Sequence, residues 1–70
     1  MLWWFERNER RTTIEVLPLS EGGFELRVLS GDGLEEVEHF TTASDLAKRQ
    51  LAIQDTLIAQ GWARSGEWLL

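Results

Sequence analysis

Phe24-Glu25-Leu26-Arg27-Val28-Leu29 alternates apolar and polar side chains at period two, bracketed by Ser20-Glu21-Gly22-Gly23 and Ser30-Gly31-Asp32-Gly33. Alternation of this kind is the signature of a half-buried strand, and glycine-rich brackets are turn chemistry. The turns are too short for a crossover, so the neighbours of this strand must run antiparallel to it. Working outward, Thr12 to Leu17 alternates β-branched and polar residues before Pro18, which removes a ladder donor and ends the strand or marks an edge. Leu2 to Arg7 is bulky and strand-favouring, with Asn8-Glu9-Arg10 as the following turn, and Leu34 to Phe40 follows the second glycine turn.

After the strands the period changes. Thr42 with Asp45 three residues later resembles a capping box, and Gly61 supplies a left-handed C-cap with Trp62 placed to fold back onto Leu57. The expected fold is α+β: a four-stranded antiparallel meander (residues 2–7, 12–17, 24–29 and 34–40) followed by one long C-terminal helix, residues 43–60, packed on one face. The tail, 62–70, has room for a short extra strand around Glu67-Trp68-Leu69 after a turn at Ser65-Gly66.

Length and charge narrow the function classes. Seventy residues predict a single domain, 1–70, and seven basic against twelve acidic side chains give a formal charge of −5, the wrong sign for generic phosphate binding. The absence of cysteine removes disulfides, thiolate metal sites and thiol nucleophiles. Met1-Leu2-Trp3-Trp4-Phe5 is interrupted by Glu6, too early for a membrane span or a signal sequence, so a cytoplasmic protein with no membrane contact is expected.

Two faces follow from the periodicities. Phe24, Leu26 and Val28 share a face, as do Ile14 and Val16, forming a floor for the helix. The reverse face carries Glu25, Arg27 and Leu29 beside Thr13, Glu15 and Leu17. Trp3 and Trp4 are consecutive, so one joins the core and the other points away and needs a different cover. On the helix, Leu46, Ile53 and Leu57 lie on one side of an apolar stripe and Leu51 and Ile58 on the other, with Gln50 and Gln54 between them. Those glutamines either lie along the sheet or mark a second contact seam. In the fourth strand Glu35, Val37 and His39 group together while Phe40 points the other way, which either a bulge or assignment of Phe40 to the start of the helix would accommodate.

Chemistry-bearing clusters are few. Glu35-Glu36-Val37-Glu38-His39 is the one candidate ligand set, but on a strand His39 points away from Glu36 and Glu38, and the run reads as an acidic edge that discourages pairing. No catalytic, metal or cofactor residue is expected, and the glycine turns match no phosphate-loop pattern. The candidate partner interface is Trp3, Trp4, Leu17, Leu29, Gln50 and Gln54, with the chain itself, as a homodimer, or an unidentified protein as the partner. Arg7, Arg10 and Arg11 near the tryptophans are the candidate contact for single-stranded nucleic acid, the alternative reading.

Over Leu2 to Gln60 the strands-then-helix plan is similar in outline to the PUR repeats, the Whirly proteins and the positive-cofactor-type transcriptional coactivators, which implies single-strand binding but transfers no residue. The Leu-Trp-Trp-Phe-Glu-Arg opening, Gly-Phe-Glu-Leu and the closing Ala-Gln-Gly-Trp together resemble a group of short bacterial proteins of unknown function, which implies a bacterial origin and no particular activity.

Overall fold

A computed structural model describes residues 1–68. The elements in chain order are β1 (Leu2–Arg7), β2 (Arg10–Pro18), β3 (Phe24–Leu29), β4 (Glu35–Phe40), α1 (Ala43–Ala59) and β5 (Ala63–Trp68). They form a five-stranded antiparallel sheet in the order β4-β3-β2-β1-β5, with the helix packed on one face. The meander and the helix follow the alternation and capping signals in the sequence. The last strand is longer than the sequence suggests and runs through Ser65-Gly66, which form no turn. A register irregularity opposite Trp4 and Phe5 takes up the mismatch. Leu69, the last residue expected of that strand, lies outside the described residues.

β2 starts at Arg10 because the β1–β2 connection is a two-residue hairpin turn. Asn8 and Glu9 both take positive φ, at 49° and 66°, the conformation whose twist matches the flanking strands. Arg7 and Arg10 are therefore the closing pair of the hairpin. At the far end of the chain's turn-and-strand series, Phe40 stands opposite Phe24 in unbroken register and packs on the core, so β4 needs no bulge. Val37 takes the other face and is exposed.

The core is thin. Trp3, Phe5, Ile14, Val16, Leu26 and Leu46 are its buried apolar members, and Leu46 is the one buried residue of the helix. Phe24, Val28, Phe40, Ile53, Leu57 and Trp62 pack around them, half-buried. Thr42 Oγ1 accepts the Asp45 N–H at 3.2 Å and caps the helix N-terminus. At the other end Gly61, with φ 89°, lets the Trp62 N–H reach the Leu57 carbonyl and the Gly61 N–H reach Ile58, the paired bonds of a Schellman ending.

The stripe on the helix is split as its spacing implies. Leu46, Gln50, Ile53, Gln54 and Leu57 form the less exposed side, whereas Leu51 and Ile58 are 59% and 57% exposed. Among the described residues no helix is long and apolar enough to cross a membrane.

Candidate partner interface

One helix covers one face of the sheet, and the strand registers lay out the other. Alternation sends Trp3 and Phe5 of β1 to the helix side, so Leu2, Trp4 and Glu6 take the open side. Register then places Leu2 between Trp68 of β5 and Glu15 of β2, followed by Arg27 and Val37. In the adjacent row Trp4 lies between Gly66 and Thr13, followed by Leu29 and Glu35. Trp68, Leu2 and Trp4 make one apolar corner, Leu29 and Val37 make another, and charged side chains run between them.

Trp4 is sheltered within its own chain. Its ring lies across Gly66 of β5, so closely that a Cβ at that position would overlap it, and the Arg11 guanidinium stands 5.4 Å from the ring centre on β2. The indole left most open is Trp68, 61% exposed, alongside Leu29 and Val37 at 45% each. An apolar hollow of about 140 Å3 lies between Met1, Leu2, Glu15 and Trp68.

The six residues expected at the interface divide between the two layers. Trp4, Leu17 and Leu29 share the open face. Trp3 is 4% exposed in the core, and Gln50 and Gln54 are half-buried on the side of the helix that carries Leu46 and Leu57. Trp68, Leu2 and Val37 complete the open-face patch. Trp68 escaped sequence reasoning because Ala63 to Trp68 lacks alternation, and its face is defined by pairing with β1.

Most charges on this face are paired within the chain, while Glu15 makes no ion pair among the described residues. Glu25 accepts a hydrogen bond from Arg27 Nη2 at 2.7 Å and sits 3.1 Å from His39 Nε2. The contact with His39 first, and then that with Arg27, holds the Glu25 carboxyl below its ordinary range, while Glu25 raises the Arg27 pKa in return. Arg27 Nε is the buried side-chain polar atom without a hydrogen-bond partner among the described residues, with Glu35 Oε1 4.0 Å away. Glu38 points to the helix side and binds Arg49 at 2.9 Å, so the acidic run of β4 is divided between two faces. Among the described residues no group of three or more His, Asp or Glu side chains could hold a metal ion.

The arginines are divided as well. Arg7 and Arg10 lie on the helix side of the hairpin and Arg11 on the open side, paired with Glu6 at 3.2 Å. Arg7 donates to the Gln60 carbonyl at 2.6 Å and stacks 5.1 Å from the centre of the Trp62 ring. This clasp borders a cleft of about 260 Å3 lined also by Arg10, Thr12, Ser30 and Asp32. Hydrogen bonds from the Ser30 hydroxyl and the Leu34 N–H keep the Asp32 carboxyl ionised below its usual range. Compared with family models, with curated proteins and with solved structures, the chain matches none.

Proposed function

We propose that this chain is a small non-catalytic protein of the bacterial cytoplasm that acts through protein–protein contact, pairing with a second copy of itself through the open sheet face. The observation that carries the reading is Trp68, 61% exposed beside the half-buried Leu2 and Trp4. Covering it would remove roughly 150 Å2 of largely apolar surface, worth about 3–4 kcal/mol before the costs of association. The face is also large enough. Five strands at about 4.8 Å and six residues at about 3.3 Å give a projected patch of about 500 Å2. As corrugated accessible surface this approaches the roughly 800 Å2 that each partner buries in a standard specific interface.

A second copy suits this face because its apolar corners flank charges that are mostly paired within the chain, Glu6 with Arg11 and Glu25 with Arg27, so that fewer ions need desolvating without a partner. Single-stranded nucleic acid has less support, since the three arginines occupy opposite sides of the hairpin and Arg7 is engaged by Gln60 and Trp62. Light scattering of the full chain and of Trp68→Ser tests the proposal. A dimer that Trp68→Ser dissociates supports it, while a dimer indifferent to that change places the contact elsewhere.

A further inference from the structure

Resting on that pairing, we infer that the two sheets stack about a two-fold axis running across the strands, between the Leu2 row and the Trp4 row, so that each strand lies over its own counterpart. Two face-to-face sheets whose strands stay aligned are related by a two-fold axis along the strands or across them.

An axis along the strands that keeps all five strands in contact passes over β2, the middle strand of the order β4-β3-β2-β1-β5. Residues of β2 would then face themselves, setting Glu15 against Glu15 and Arg11 against Arg11 of the second copy, and Leu2 would meet Arg27. Like charges juxtaposed in an interface are strongly unfavourable.

An axis across the strands exchanges the two rows instead. Leu2 of each copy then meets Trp4 of the other, and Trp68 meets that same indole where it lies across Gly66, so the apolar corners merge into one core. Glu15 meets Thr13, and no like charges stand opposite each other. Glu35 of the second copy comes over Val37, the register neighbour of Arg27, within reach of the Arg27 guanidinium, whose Nε lacks a hydrogen-bond partner among the described residues.

Thr13 and Glu15 are two residues apart on one face of β2, which allows a charge-exchange test on the full chain. Thr13→Glu sets two carboxylate pairs in opposition across the axis and should weaken the dimer at least about tenfold. Adding Glu15→Lys turns both contacts into ion pairs and should return the dissociation constant to within about threefold of the wild-type value. Under the axis along the strands, both variants set two like-charge pairs in opposition, Glu against Glu twice in the single and Glu against Glu with Lys against Lys in the double, so the double variant does not recover wild-type affinity. That result, with the wild type dimeric, overturns the orientation and leaves the pairing standing. A monomeric wild type, or a dimer that neither change affects, overturns the pairing through this face and the orientation with it.

Discussion

The Trp4 ring lies directly on Gly66, a residue of the last strand 62 positions further along the chain. This contact gives the second of two adjacent tryptophans a cover made by its own chain, and it moves the exposed aromatic from Trp4 to Trp68. The partner reading therefore rests on the end of the sheet, at β5, more than on its start.

Replacing Gly66 tests that contact. Gly66→Ala puts a Cβ where the Trp4 indole already lies, and the ring must lift or β5 must shift. Overpacking of this kind costs about 1–3 kcal/mol, which in a domain of this size lowers the melting temperature by roughly 4–20 °C. Thermal unfolding measured alongside Ser65→Ala, an exposed neighbour, separates the clash from general weakening of the strand.

The helix is held chiefly through Leu46, its single buried side chain. Leu46→Ala should cost about 2–3 kcal/mol and loosen the whole helix, whereas Leu51→Ala, at a position 59% exposed, should change stability by less than about 0.5 kcal/mol. Denaturant midpoints with helix-specific amide exchange check both. Equal effects would mean that Leu51 packs against something in solution.

Arg7 closes the other end of the helix through the Gln60 carbonyl and the Trp62 ring. Arg7→Ala removes a cation from the helix C-terminus and a cation–π contact, for a loss of about 1–2 kcal/mol. Amide exchange should accelerate at Gly61 and Trp62, whose N–H groups make the Schellman bonds, before it does so at the helix centre.

Glu25 supplies part of the acid dependence, alongside Asp32. Its folded-state pKa is depressed, first by the His39 contact and then by Arg27, so the stability it contributes is present above the ordinary carboxylate range and is lost as pH falls through the folded value. Glu25→Gln should be less stable than the wild type at pH 7, and the difference should shrink towards pH 3. A difference that stays constant with pH would assign the effect to packing.

Sequence reading reached the local features and missed a distant one. β3 declares itself through alternation between glycine turns, and the helix through Thr42 at one end and Gly61 at the other, because alternation and capping act over a few residues. The split stripe was equally legible, with Leu46, Ile53 and Leu57 inward and Leu51 and Ile58 outward. Consecutive tryptophans on opposite faces follow from the pleat. The extent of β5 is different in kind: Ala-Arg-Ser-Gly-Glu-Trp is a strand because it pairs with β1, and Gly66 is needed there because of Trp4. Neither fact resides in the segment itself, so the exposure of Trp68 and the cover over Trp4 were not legible in the sequence.

The central claim is that the open sheet face is covered by a second copy, and sedimentation equilibrium of the full chain at micromolar concentration tests it most directly. The account predicts a mass near twice 8.1 kDa that falls towards 8.1 kDa on dilution and stays there for Trp68→Ser. A wild-type mass of 8.1 kDa throughout the micromolar range would contradict it.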